Sequence, residues 1–202
     1  MSKFENVKVD ILKDETLSKS DWYQLRYITF DYTGSAGRTV TLKREVYDRG
    51  NGATILLFDP KREMVILVRQ FRIPPYLIGH SGWLIEAPAG LLEGEHPEEV
   101  IRREVMEETG YAVHAVRPIF RSFMSPGAVT EIIHFFVALI DSTERTGAGG
   151  GLADEHEDIE VMEIGLDAAM AMIESGDICD AKTIMLLQWA ALNRGQLKAE
   201  GG

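Results

Sequence analysis

The pattern of hydrophobic and polar positions predicts two parts in this chain. The first part alternates as half-buried strands do, in the segments Lys8–Lys13, Trp22–Tyr32 and Thr39–Tyr47, with a turn at Gly34–Gly37 between the last two. An element of about 50 residues is too small to form a stable core alone. We therefore expect an N-terminal antiparallel sheet, residues 1–50, with one face covered by another surface.

From residue 51 to 202 the pattern predicts a second domain of strands and helices. Two short apolar runs, Ala53–Phe58 and Met64–Arg69, flank a turn at residues 59–62 and are typical of strands buried on both faces. The other expected strands are Trp83–Ile85, Val113–Phe123, Ile132–Ile140 and Ile159–Ile164, and the expected helices are Pro97–Thr109, 166–175 and 181–194. Pro74-Pro75 and Gly79–Gly82 are expected to break the chain. These elements indicate the α+β class, as an α/β/α sandwich with a mixed sheet.

Composition and charge narrow the possible functions. The 202 residues carry a net charge of −11, which argues against non-specific nucleic-acid binding because phosphates require a basic surface. No apolar stretch approaches the 18 residues of a membrane span, and the first residues lack the apolar region of a signal peptide. The single cysteine, Cys179, cannot form an internal disulfide, which predicts a cytoplasmic protein. An anionic substrate would require a divalent cation here.

The helix predicted at Pro97–Thr109 carries the most informative chemistry. Glu104, Glu107 and Glu108 are spaced i, i+3 and i+4, so the three carboxylates share one face. Hard cations such as Mg²⁺ prefer oxygen ligands of this kind. Arg103 precedes Glu107 by four residues, which is ion-pair spacing. The alternative is an ordinary solvated acidic face, and the residues around the three glutamates argue against it.

The residues around these acids resemble the Nudix box, the signature of hydrolases that cleave nucleoside diphosphates linked to another group. The family pattern is G-x5-E-x7-R-E-U-x-E-E-x-G-U, where U is aliphatic. This chain has Gly90, four residues, Glu95, seven residues, and then Arg103–Tyr111 with the sequence REVMEETGY. The first spacer is one residue short, which affects the role of Glu95, and Tyr111 replaces an aliphatic residue. The acidic face is intact.

Further segments resemble the GDP-mannose hydrolase branch of the Nudix family, also called GDP-sugar pyrophosphatases. They are Lys43–Ala53, Val68–Arg72, Met124–Gly127 and Asp180–Thr183. The ADP-ribose pyrophosphatases are close relatives of that branch and tend to place a proline about 15 residues beyond the box, as Pro126 is here. The resemblance therefore extends over most of the chain.

The resemblance implies a set of metal ligands and catalytic groups. The metal ligands would be the backbone carbonyl of Ala89 with the side chains of Glu104, Glu108 and Glu157. Glu107 would be either a third helix ligand or held by Arg103, and both roles stay open. Glu155 would be the catalytic base, on the loop Gly147–Asp158, which overlaps the segment Ser142–Asp154 that is predicted to be mobile. His156 is a second candidate for that base.

The resemblance also implies the substrate contacts. Trp22 would stack on the nucleobase, and Lys43, Arg44 and Glu45 would reach the nucleotide. Arg72 would contact a phosphate or the sugar, and Glu131, His156 and Lys182 would complete the site. Each of these residues also has an ordinary structural explanation, such as core packing for Trp22 or surface charge for Lys43 and Arg44.

The function implied is Mg²⁺-dependent hydrolysis of a nucleoside diphosphate sugar, with Mn²⁺ able to substitute. GDP-mannose would give GMP and mannose 1-phosphate. Two alternatives are an ADP-ribose pyrophosphatase and a non-catalytic nucleotide-binding regulator, the latter disfavoured by the intact acids. Members of this branch form homodimers through their N-terminal strands, so a homodimer is expected, with no nucleic-acid or membrane partner.

Overall fold

The computed structural model describes residues 5–20, 23–152 and 158–201, and the chain divides into two compact units. The first unit comprises Met1–Asn51 and Phe123–Ile132, and the second comprises Gly52–Ser122 and Ile133–Gly202. The predicted boundaries place Phe123–Ile132 in the second domain instead. The structure groups it with the first unit because the Tyr47 N–H donates to the Ala128 carbonyl at 2.8 Å and the Thr130 N–H donates to the Tyr47 carbonyl at 3.0 Å.

The first unit contains a three-stranded antiparallel sheet with the order β1-β2-β3. Its strands are β1 (Lys8–Lys19), β2 (Gln24–Thr33) and β3 (Thr39–Asp48). Strand β1 is longer than predicted and continues through two irregularities, between Ile11 and Lys13 and between Thr16 and Ser18. Such irregularities allow a strand to continue where its alternation is interrupted, which the sequence pattern alone reads as an end.

The second unit is built on a mixed sheet, as expected. Its strands are β4 (Gly52–Asp59), β5 (Met64–Phe71), β6 (Trp83–Glu86), β7 (Ala89–Leu91), β8 (Arg117–Phe123), β9 (Ile132–Leu139) and β10 (Glu160–Gly165). The main order is β10-β5-β4-β9-β8, with β6 paired to β5 and β7 paired to β4. Strands β4 and β9 are parallel, whereas β4 and β5 form an antiparallel hairpin.

The helices are α1 (Ile73–Leu77), α2 (Pro97–Thr109), α3 (Leu166–Ser175), α4 (Ala181–Leu192) and α5 (Arg194–Glu200). Pro74 and Pro75 do not simply break the chain, because both lie in the first turn of α1, where a missing N–H costs nothing. The predicted helix 181–194 corresponds to α4, which ends at Leu192, and after Asn193 a further helix that was not predicted, α5, continues to Glu200. Among the described residues, we find no helix with the length and apolar character needed to cross a membrane.

The core of the second unit lies on both faces of β4. All eight residues of β4 are buried, which confirms the prediction of a strand covered on both sides. Ala53, Ile55 and Leu57 pack with the apolar face of α2. The alternate residues Leu56 and Phe58 point to the opposite face, where α4 contacts β4, and both are fully buried. Helix α2 is thereby fixed to the centre of the sheet.

Candidate active site

Helix α2 has the bounds that the sequence predicts, because its start and stop signals are local. Pro97 occupies the first turn, followed by two acidic residues that favour the positive end of the helix dipole. Gly110 ends the helix in the left-handed conformation, with φ of 76°. The buried face of α2 anchors it to β4, and this fixes where its glutamates lie.

Two of these glutamates converge on strand β7, which precedes the helix. The Ala89 N–H donates to Oε2 of Glu108 at 3.2 Å. A Cβ atom on Gly90 would lie 2.4 Å from Cγ and Cδ of Glu104, so only glycine leaves room for that side chain. The structure thus brings Ala89, Glu104 and Glu108 together, which are three of the four ligands that the resemblance implies.

The acidic face of α2 is less exposed than its sequence suggests. Glu108 is only 3% exposed, and Glu104 and Glu107 are half-buried. The alternative of a solvated acidic face therefore does not describe Glu108. The i, i+4 spacing shows which side chains share a face, but the burial of that face depends on a distant strand, β7, at Ala89–Gly90.

Arg103 binds Glu95, although its spacing suggested Glu107 as a partner. Nη1 and Nη2 of Arg103 donate to the two carboxylate oxygens of Glu95 at 2.9 and 3.1 Å, and Nη2 lies 3.9 Å from Oε1 of Glu104. Hydrogen bonds from Arg103 hold the pKa of the Glu95 carboxyl below its usual value. Glu95 therefore retains a defined partner in spite of the shortened spacer.

The donors where Glu104 and Glu108 of α2 approach Ala89 and Gly90 suit a hard divalent cation. They are carboxylate oxygens and a backbone segment, which are the groups that Mg²⁺ and similar ions prefer. Residues 5–20, 23–152 and 158–201 by themselves contain no group of three or more His, Cys, Asp or Glu side chains arranged to hold a metal. Glu157, the fourth expected ligand, lies outside those described ranges.

Arg72 and Lys182 meet at a buried carboxylate that the sequence did not single out. Nε of Arg72 donates to Oε2 of Glu86 at 2.8 Å, and Nζ of Lys182 donates to Oε1 at 3.4 Å. Glu86 is 3% exposed and ends β6, directly before the loop to Ala89. Charged residues are almost never fully buried unless they are paired. Glu86 directly follows the apolar residues Trp83–Ile85, and this position is the sequence signal from which a buried, paired carboxylate could have been predicted.

Lys182 has a second carboxylate partner. Its Nζ donates to Oδ1 of Asp180 at 2.7 Å. Burial acts to lower the pKa of Lys182, but the charges of Asp180 and Glu86 outweigh it, and the pKa is raised above its usual value. Oδ2 of Asp180 caps α4 by accepting the Thr183 N–H at 2.9 Å, so the start of α4 positions the ammonium group.

The remaining described candidates belong to the first unit. Lys43, Arg44 and Glu45 are exposed on β3. Glu131 lies in the segment Phe123–Ile132, where Nε of Arg49 is 3.3 Å from its Oε1.

Four candidates lie outside the described residues: Trp22, Glu155, His156 and Glu157. Their roles stay predictions. The loop that precedes the last three was predicted to be mobile, yet its residues 146–151 make backbone hydrogen bonds to the end of α2. This part of the loop is attached to the helix that carries the acids.

Comparisons with known families match this architecture. The NUDIX domain model matches residues 48–186, which is more than half of the chain. The model described as GDP-mannose pyrophosphatase NudK N-terminal domain matches residues 8–47.

Individual relatives cover nearly the whole chain. A GDP-mannose pyrophosphatase from Citrobacter koseri (strain ATCC BAA-895) is 51% identical over 183 residues, which is 90% of this chain and 94% of that protein. A GDP-mannose pyrophosphatase from Escherichia coli (strain K12) is 49% identical over 183 residues, with the same shares covered. A crystal structure of an ADP compounds hydrolase shares the fold, with a TM-score of 0.71 and 22% identity over 96% of both chains.

Proposed function

Because this chain belongs to the Nudix hydrolase family, we propose that it hydrolyses the pyrophosphate bond of a nucleoside diphosphate sugar. The proposed substrate is GDP-mannose, and the products are GMP and mannose 1-phosphate. The names of relatives that match 90% of this chain at about half identity support this choice.

The observation that carries the proposed reaction is the convergence of Glu104 and Glu108 on Ala89 and Gly90 of strand β7. We assign Mg²⁺, with Mn²⁺ as a substitute, to the Ala89 carbonyl, Glu104, Glu108 and Glu157. A bound divalent cation offsets the negative charge of the pyrophosphate oxygens, which a protein of net charge −11 would otherwise repel. Glu107 adjoins this set as a further ligand.

We assign the proton transfer to the carboxylate of Glu155. Glu155 accepts a proton from the attacking water as the water oxygen bonds to phosphorus. The bond from that phosphorus to the bridging oxygen breaks, and the bridging oxygen leaves with the electron pair. Arg103 acts indirectly, because its contacts with Glu95 and Glu104 hold the acidic face of α2 in place.

Arg72 and Lys182 are the proposed cationic contacts to the substrate. Arginine suits a phosphate group because its planar guanidinium donates two parallel hydrogen bonds. Their shared partner Glu86 supports the assignment, because it holds both cations in defined positions before any anion arrives.

The other substrate contacts are assigned by position in the family pattern. Trp22 stacks on the nucleobase, the segment Lys43-Arg44-Glu45 reaches the nucleotide, and Glu131 and His156 contact the sugar side.

We further propose that the protein is a homodimer formed by the N-terminal sheet. Val9, Ile11 and Leu17 of β1 are each more than half exposed, although they lie in a strand that is paired with β2. Exposed apolar groups of this kind mark protein interfaces. Light scattering should give twice the monomer mass, and Ile11→Glu should shift the mass towards the monomer, whereas the neighbouring control Asp10→Asn should not. A wild-type monomer at micromolar concentration would refute the dimer.

The single cysteine supports a cytoplasmic location.

The substrate is tested by measuring kcat/KM for a panel of nucleotide sugars and ADP-ribose in Mg²⁺, with products separated by chromatography. We expect GDP-mannose to have the highest kcat/KM and to give equal amounts of GMP and mannose 1-phosphate. Faster cleavage of ADP-ribose to AMP and ribose 5-phosphate would replace the proposed substrate. Binding without cleavage of any compound would indicate a regulator instead of an enzyme.

A further inference from the structure

The C-terminal end of α2 is closed by residues 146–151, which we call the capping loop. The Gly150 N–H donates to the Glu108 carbonyl at 2.8 Å, and the Gly151 N–H donates to the Glu107 carbonyl at 3.1 Å. The last carbonyls of a helix have no partner within the helix. The capping loop therefore supplies the hydrogen bonds that the final turn of α2 lacks.

The capping loop approaches α2 at the distance of backbone-to-backbone contact. The Gly110 carbonyl accepts the N–H groups of Thr146 at 3.0 Å and Gly147 at 2.8 Å. A Cβ atom on Gly110 would lie 2.3 Å from the Gly147 carbonyl oxygen, and one on Gly149 would lie 2.6 Å from the Thr109 carbonyl carbon. Glycine at these positions is thus required by the contact, in addition to the left-handed φ of Gly110 and Gly149.

Glu108 is consequently held at both ends. Its main-chain carbonyl is bonded to Gly150, and its carboxylate accepts the Ala89 N–H at 3.2 Å. Helix ends open locally at little free-energy cost when their terminal groups are unbonded. A metal ligand in the final turn would then have to be ordered each time that the ion binds, at the expense of affinity.

We propose that the capping loop is a positioning element for metal binding, which fixes the main chain of Glu107 and Glu108 so that their carboxylates are already placed for a divalent cation. The inference rests on the proposed function, because it assumes that these acids hold the ion. It assigns a role to the glycines of residues 146–151 and a second role to Gly110, which ends the helix and also makes room for the loop.

The test is a calorimetric titration of the full-length protein with Mn²⁺ in the absence of substrate, together with thermal unfolding of each variant. Gly149→Ala inserts a methyl group against the end of α2. Loss of groups that orient metal ligands weakens binding by roughly tenfold to a hundredfold, so we expect the Mn²⁺ dissociation constant of Gly149→Ala to rise by about that factor.

Gly176→Ala is the matched control. Gly176 also ends a helix with a left-handed φ, of 86°, but a Cβ atom there meets nothing within 4 Å. Gly176→Ala should lose thermal stability through the strain of its left-handed φ alone and bind Mn²⁺ as the wild type does. Gly147→Ala is a milder variant, because Gly147 has no left-handed φ and its Cβ would lie 3.3 Å from Gly110 Cα. If Gly149→Ala does not fold, the Mn²⁺ affinity of Gly147→Ala tests the positioning role.

The outcomes separate this inference from the proposed function. Wild-type affinity in Gly149→Ala and Gly147→Ala, or equal weakening in Gly176→Ala, would overturn the positioning role while leaving metal binding intact. A wild-type protein that binds no Mn²⁺ would overturn both. Weakened binding confined to the capping-loop variants would establish the role.

Discussion

Tyr111 offers a sharp test of the packing behind α2, because it replaces an aliphatic residue of the family pattern. Its hydroxyl group lies 2.8 Å from the Ser142 carbonyl oxygen and 3.1 Å from Oε1 of Glu163, and the side chain is 1% exposed. Tyr111→Phe removes this hydroxyl and leaves the ring in place. The Ser142 carbonyl then loses a buried donor, whereas Glu163 keeps Nη1 of Arg62 at 3.1 Å.

The expected loss of stability in Tyr111→Phe comes from the Ser142 carbonyl, which loses its hydrogen-bond donor. Leaving a buried acceptor unsatisfied costs about 1–3 kcal/mol, and in a chain of this size each kcal/mol corresponds to about 2–4 °C in Tm. Thermal unfolding near neutral pH should therefore show a clear decrease in Tm for Tyr111→Phe. Tyr76→Phe is the control, because Tyr76 is 55% exposed and its loss of a hydroxyl should leave the Tm unchanged.

The pH dependence gives the same prediction a second measurement. Burial, together with the charge and hydrogen bond of Glu163, raises the pKa of Tyr111 to about 12, against about 10 in the unfolded chain. A raised pKa contributes stability that is present below pH about 10 and lost as the pH rises towards about 12, at up to about 1.4 kcal/mol per unit. The difference in unfolding free energy between wild type and Tyr111→Phe should narrow over that range. An unchanged Tm at neutral pH, or a difference in unfolding free energy that stays constant up to pH about 11.5, would show that the Tyr111 hydroxyl does not stabilise the fold in this way.

Three further substitutions test the proposed roles. Glu108→Gln should lower kcat by roughly a hundredfold or more while the protein stays folded, because the amide oxygen still accepts the Ala89 N–H; near wild-type turnover would contradict its role. Glu86→Gln should raise KM by about tenfold with a smaller change in kcat, because it loosens two cations; a lower KM would mean that Glu86 acts only through its charge. Glu155→Gln should give a low kcat that added Mg²⁺ does not restore, whereas high Mg²⁺ should partly restore Glu157→Gln, and the reverse pattern would exchange their roles.

The sequence predicts α2 and its acids accurately because the information is local. Pro97 and Gly110 mark its ends, and the spacing of the glutamates places them on one face. Strands β4 and β5 are equally clear, since continuous apolar runs signal burial on both faces.

Features that depend on distant parts of the chain were not predicted. The burial of Glu108 requires strand β7 at Ala89, and the importance of Glu86 requires Arg72 and Lys182 to meet at one point. The glycines of residues 146–151 suggest mobility when they are considered alone. Only their contact with Gly110 shows that they serve close packing.

The proposed function requires that a divalent metal held by the α2 acids enables this chain to cleave GDP-mannose. The most direct measurement follows GMP and mannose 1-phosphate formation by chromatography in Mg²⁺, then with excess chelator, and then after Mg²⁺ or Mn²⁺ is restored. We expect both products to appear in equal amounts, chelation to abolish their formation, and the metal ion to restore it. Full turnover of GDP-mannose in excess chelator would show that the reaction does not depend on a metal ion held by these acids.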